Sequence, residues 1–257
     1  MSWFELGRAT VCVMLVYSWV LSVILYFAAD GMPYTFNLAG MKTPPPRLLA
    51  WAALGLVVQI GLCWAFYRTN HWLPELGILL NLYLIRVIHK NTWDSDVVVE
   101  LGRYVPFATA LAWHLLGRAL APTSDPTLAD RFGWEAAAGA LAASMALNGV
   151  TKFTMGGTAW FTTNGMALML AERSFFGPSW LRRLRLYLAT LPRFSTALGM
   201  LGIVLETASL LYAVPSLRAV ITVGILATVI GIEVLFGYFE PEWTLVYPAI
   251  AVITLAA

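Results

Sequence analysis

The chain has 257 residues, of which 60% are hydrophobic and 12% charged, with a formal net charge of +2 and a mean hydropathy of +0.74. A soluble globular domain carries about 25% charged residues, so this composition excludes an ordinary soluble enzyme, and so small a net charge argues for no nucleic-acid partner. The reading is an all-α fold: a polytopic transmembrane helical bundle of seven or eight spans plus one interfacial amphipathic helix, forming a single integral-membrane domain over residues 1–257.

The first span is expected at about residues 9–29, preceded by Glu5 and Arg8 and ended by Asp30, Gly31 and Pro33. It is long enough to cross and lacks a small-residue cleavage site behind it, so it reads as a retained span rather than a cleaved signal. The second span, about 48–67, follows Pro44, Pro45 and Pro46 and closes at Arg68. The third, about 72–88, can take Pro74 in its first turn and carries Asn81 and Arg86. The fourth runs over about 97–116, with Glu100 and Arg103 spaced to pair. Residues 117–133 hold two prolines and two aspartates and read as the most soluble-looking connection. The fifth span, about 134–153, is rich in Ala and Gly, as close helix packing in lipid requires, and it delivers Lys152.

Residues 156–196 change character and read as an interfacial or re-entrant region. The segment 161–171 is too short to cross, and 181–188, with Arg182, Arg183 and Arg185, reads as an amphipathic helix whose arginines face phosphate. The sixth span, about 197–214, contains Glu206; the seventh, about 217–238, contains Glu233; a short eighth is expected at about 243–257.

Positive charges divide into two groups on this span count. One side collects Arg8, Arg68, Arg118, Arg131 and Arg218; the other collects Lys42, Arg47, Arg86, Lys90, Arg173, Arg182, Arg183, Arg185 and Arg193. The positive-inside rule places the second group in the cytoplasm, and Lys152 with it.

Lys152 is the residue that draws attention, because an ammonium on an apolar helix needs a counter-ion, a shift toward the neutral amine, or a route to water. Gly156 and Gly157 break the helix behind it, and Trp160 and Gly165 follow. The loop His89-Lys90-Asn91-Thr92-Trp93-Asp94-Ser95-Asp96 emerges on the same side, so His89, Asp94 and Asp96 are candidates to share a cavity with the amine. A neutral lysine is a usable general base. Glu206 and Glu233, as carboxylates inside spans, are further candidates.

Plainer readings stand beside these. Lys152 can snorkel to the headgroups, the 89–96 loop can be an ordinary solvated one, and Trp93 and Trp160 can be belt anchors. Glu206 can be a packing residue bonded to Arg218 or Arg103, and Glu233 can lie close enough to the interface to reach water. His71, His89 and His114 show no spacing that suggests a metal set. Cys12 and Cys63 fall at similar depth if the first two spans form a hairpin, which permits a redox pair, although small buried thiols are common packing residues.

Taken in order, these features resemble the membrane domain shared by vitamin K-dependent γ-glutamyl carboxylase and its bacterial HTTM relatives. In that family a helix ends in a lysine followed by a break, a tryptophan and a glycine, as at Lys152, Trp160 and Gly165. A charged-Lys-x-x-Trp run leads to a functional histidine, whose place is taken here by Asp96 after Trp93. An acidic residue in a Leu-rich helix is similar to Glu206. The resemblance implies Lys152 and Asp96 in catalysis and Trp93, Trp160 and Glu206 around a reduced naphthoquinone of the vitamin K or menaquinol type. It implies membrane lipid and a peptide or small-protein substrate as partners, and a bacterial inner membrane as the location. It also puts Lys152 on the outer face, against the charge count. The carboxylase's large lumenal domain has no counterpart here, so the nearer relative in function is the bacterial branch that includes the sporulation-delaying protein B. The alternatives are a non-catalytic membrane partner, such as an immunity protein, carrier subunit or scaffold, and a quinone-linked thiol oxidoreductase built on Cys12 and Cys63.

Overall fold

The computed structural model describes residues 3–27, 46–69, 71–92, 105–156, 165–175 and 178–236. Among them every regular element is helical and no strand occurs. The elements are α1 (Trp3–Phe27), α2 (Pro46–Thr69), α3 (Trp72–Thr92), α4 (Val105–Leu120), α5 (Pro126–Gly156), α6 (Gly165–Arg173), α7 (Ser179–Ala189), α8 (Pro192–Ala208) and α9 (Arg218–Phe236), with 3-10 turns at Ser209–Ala213 and Pro215–Leu217 between α8 and α9. The chain divides into two compact units, one holding α1 to α4 and α5 as far as Ala137, the other the rest of α5 with α6 to α9.

In the first unit the buried positions recur at helical spacing. Arg8, Val11, Cys12, Leu15 and Trp19 form one face of α1, and Phe107, Ala110, Leu111 and His114 one face of α4. Polar side chains link the helices: the Asn81 amide donates to Gly55 O and to Gln59 Oε1, both at 2.9 Å, which ties α3 to α2. The Cys12 thiol donates to Cys63 O at 3.4 Å, and both cysteines are buried and free, so the two sulfurs sit in neighbouring turns without a disulfide. The first two long helices do pack together, α1 on α2, with the two cysteines at the same level.

The expected polar connection over 117–133 is much shorter. Only residues 121–125 lie outside helix. Asp125 Oδ1 accepts the Thr127 backbone N–H at 2.8 Å and Pro126 occupies the first helical position, so α5 starts some two turns earlier than its apolar run suggests. Asp130, read as a loop residue, is thereby carried on a helix and buried.

In the second unit, α6, α7, α8 and α9 pack on one another around Met166, Leu170 and Leu188. The amphipathic helix forms as expected, but one of its arginines points inward. Arg185 is 1% exposed and bonds to backbone carbonyls at two helix ends: Nη1 to Arg173 O at 2.9 Å, Nε and Nη2 to Val234 O at 3.2 and 3.0 Å. The last carbonyls of α6 and α9 lack intrahelical partners, and a planar guanidinium supplies several donors at once. Burial, and then the nearby Arg173 charge, lower its pKa from the ordinary guanidinium value. Arg182 and Arg183 stay exposed beside exposed Trp180 and Tyr187.

Two stretches among the described residues are long and apolar enough to cross a membrane: 22 residues over Pro192–Ala213 and 18 over Pro215–Ile232. Both units expose large apolar side chains, such as Val57, Trp64, Val220 and Val223, while burying Gln59, Glu75, His114 and Glu206. The polar loop expected between the first two spans, the end of the loop 89–96, the start of the fourth span expected at about 97, the segment 157–164 and the short eighth span expected at about 243–257 lie outside the described residues in whole or part.

Candidate functional site

The site of the second unit is built where α5 crosses α8. At Gly149 an added Cβ would lie 2.6 Å from Thr207 Oγ1, 2.7 Å from Thr207 N and 2.9 Å from Glu206 Cβ, so a bare α-carbon is what lets the helices approach. One turn further along the same face of α5 stands Lys152. Its Nζ donates to both carboxylate oxygens of Glu206, at 2.6 Å to Oε1 and 2.9 Å to Oε2. The Glu206 side chain is 3% exposed and that of Lys152 37%. The carboxylate is thus sequestered and the amine reaches the surface of the unit. Ser209 Oγ donates to Ala142 O at 2.8 Å, a second tie between α5 and the end of α8.

Lys152 and Glu206 open on a cavity of about 370 Å³, within the range of small-molecule sites. Its walls are apolar, with Met166, Leu170, Ile203 and Leu205 prominent among them. Gly202 and Gly231 also line it, and a Cβ at either would meet nothing within 4 Å. The charged pair is the strongest polar feature of an otherwise oily space.

Of the residues singled out from sequence, the structure brings Lys152 and Glu206 together. Glu206 is bonded to Lys152 rather than to Arg218, whose guanidinium lies 5.6 Å from the Tyr212 ring centroid. Asp94, Asp96, Trp93, Trp160 and Arg103 lie outside the described residues, as do the side chains of His89 and Glu233.

A second charged centre, in the first unit, has no counterpart in the sequence reading. His114 on α4 lies between two carboxylates, with Nδ1 2.6 Å from Glu75 Oε1 on α3 and Nε2 3.0 Å from Asp130 Oδ1 on α5. Arg8 Nη1 is 3.5 Å from Asp130 Oδ2, and Arg118 Nη1 is 3.9 and 4.0 Å from Asp130 Oδ1 and Glu75 Oε2. The His114 and Glu75 side chains are wholly buried. Trp134 covers the imidazole at 4.2 Å between ring centroids. Again a glycine crossing makes the approach: a Cβ on Gly133 would be 2.6 Å from His114 O, and one on Gly117 2.9 Å from Gly133 Cα. His114 carries no local signal of this role, because its partners are 39 and 16 residues away in sequence. The usable signal was Gly117 and Gly133, each three residues from a charged or titratable side chain on the same helix face.

No protein-family model matches the chain, and comparison with curated proteins and with solved structures finds no match.

Proposed function

We propose that the chain is an integral-membrane enzyme resembling the vitamin K-dependent carboxylase family, with seven or eight spans in a bacterial inner membrane, in which Lys152 acts as base toward a reduced naphthoquinone and the product modifies a peptide or small protein. The observation that carries this reading is the Lys152–Glu206 pair opening on an apolar cavity of about 370 Å³. Polar groups inside and apolar side chains outside are what a bilayer asks of a helical protein.

The cavity residues suit such a cofactor: Met166, Leu170 and Ile203 offer an oily wall for a ring or prenyl chain, and Lys152 offers N–H groups to an oxygen. A reduced naphthoquinone supplies a dissociable hydroxyl and electrons for dioxygen. The chain's own part is to hold and move a proton at Nζ. If Glu206 takes one ammonium proton, the amine becomes neutral and can accept the hydroxyl proton at Nζ; the proton held by Glu206 then has to pass to water before a carboxylate again faces the new ammonium. Carboxylation of glutamate is one outcome of such chemistry; maturation of a secreted peptide without carboxylation is another.

The competing reading is a non-catalytic membrane partner, an immunity or toxin-maturation protein, in which the pair is purely structural. It is favoured by the occupation of both Glu206 oxygens by one amine. Oxygen consumption with a reduced naphthoquinone separates the two when measured on detergent-purified wild type, Lys152→Arg and Lys152→Ala. Arginine keeps a cation beside Glu206 but does not lose its proton in proteins. A folded Lys152→Arg protein that no longer consumes oxygen supports the base. Oxygen uptake equal to wild type in that variant, or no quinol binding by wild type, hands the lead to the partner reading.

A further inference from the structure

The first unit contains a centre that the proposed quinol chemistry does not use. A neutral imidazole donates from one nitrogen and accepts at the other, whereas an ionised carboxylate only accepts. At His114 both ring nitrogens face carboxylate oxygens at hydrogen-bond distance, 2.6 Å to Glu75 and 3.0 Å to Asp130. A neutral ring between two ionised carboxylates would set a nitrogen lone pair against an oxygen lone pair in one of those contacts. One additional proton satisfies both.

The surroundings decide where that proton sits. Among the described residues, the charged groups facing the centre include Arg8 from α1, Glu75 from α3, Asp130 from α5 and Arg118 from α4 itself, one turn beyond His114. From α2 the neighbour is uncharged, the Phe66 ring at 6.1 Å. Arg8 and Arg118 lie beside the carboxylates, at 3.5 to 4.0 Å. The Trp134 ring, its centroid 4.2 Å away and its plane tilted by 41°, is close enough to favour a cation on the imidazole. With His114 and Glu75 fully buried there is no room for a larger ligand.

We propose that Glu75, His114 and Asp130 form a buried proton-binding site that holds one proton beyond the neutral-ring state and carries it on the imidazole of His114. Loaded, the ring clasps α3 and α5 to α4 through two charge-assisted hydrogen bonds. Unloaded, it can keep only one of them, so the clasp on either α3 or α5 opens. The first unit is therefore held together by an exchangeable proton.

The test is ring-nitrogen magnetic resonance on the full chain in detergent with 15N-labelled histidine. The chain has three histidines, and His71→Gln with His89→Gln leaves His114 as the only histidine signal. The expected result at about pH 8 is two protonated ring nitrogens in the folded protein, replaced by one protonated nitrogen after unfolding in a denaturing detergent. A single protonated nitrogen in the folded protein at that pH overturns the proposal. Should the double variant fail to fold, the three wild-type signals answer the same question, since a doubly protonated ring must be among them.

Discussion

Gly149 of α5 lies against Thr207 of α8 so closely that a methyl group in place of its hydrogen would stand 2.6 Å from Oγ1 and 2.7 Å from the backbone nitrogen. The neighbour on one side is fixed backbone, which cannot swing away as a side-chain tip does. This contact sets the separation of the two helices at the point where Lys152 reaches Glu206.

Gly149→Ala should therefore push α5 from α8 and lengthen the Lys152–Glu206 contact. Overpacking costs about 1–3 kcal/mol, and part of the loss is the ion pair itself. The check is a double-mutant cycle by unfolding in detergent: Glu206→Gln should cost less in the Gly149→Ala background than in wild type. Equal costs in the two backgrounds would show that the glycine does not hold the pair in register.

Arg185→Lys should destabilise the second unit although it conserves charge. The guanidinium serves Arg173 O and Val234 O together, and an ammonium is a point donor that cannot reach both with the same geometry. Hydrogen bonds to charged groups are worth about 1.5–3 kcal/mol each, so a loss of about 2–4 kcal/mol is expected, read as a lower unfolding midpoint. Arg183→Lys, at an exposed position of the same helix, should leave the midpoint within about 0.5 kcal/mol.

Gly202→Leu should fill the cavity without disturbing the fold, because a Cβ there meets nothing within 4 Å. Gly199→Leu, on the same helix, is the contrast: its Cβ would meet Met166 Cε at 2.5 Å in the core of the unit. Binding of a reduced naphthoquinone, followed by its fluorescence or by calorimetry, should be lost in Gly202→Leu at an unchanged unfolding midpoint. Unchanged affinity would place the ligand elsewhere.

The burial of several arginines also bears on sidedness. Arg8 and Arg118 belong to the His114 centre and Arg185 to the joint between α6 and α9. The positive-inside rule rests on charges in exposed loops. These three carry structural roles on helices; without them the count goes from five against nine to three against eight, so the same side stays the more basic and the conflict over Lys152 stands.

Composition and periodicity by themselves determined the all-helical class, the positions of most helices and the two described stretches long and apolar enough to cross a membrane, because a 3.6-residue period and an excess of apolar residues are local properties. Lys152 and Glu206 were legible as charged residues out of place for the same reason. What only tertiary structure decided is which charges meet. Glu206 lies 54 residues from Lys152 and His114 lies 39 from Glu75, and those separations carry no period to read. The helix start at Pro126 put Asp130 on α5 rather than in a loop, and Gly117, Gly133 and Gly149 then brought backbones close enough for short side chains to touch. Side-chain type is written in the sequence, but partner choice follows from the crossing of helices.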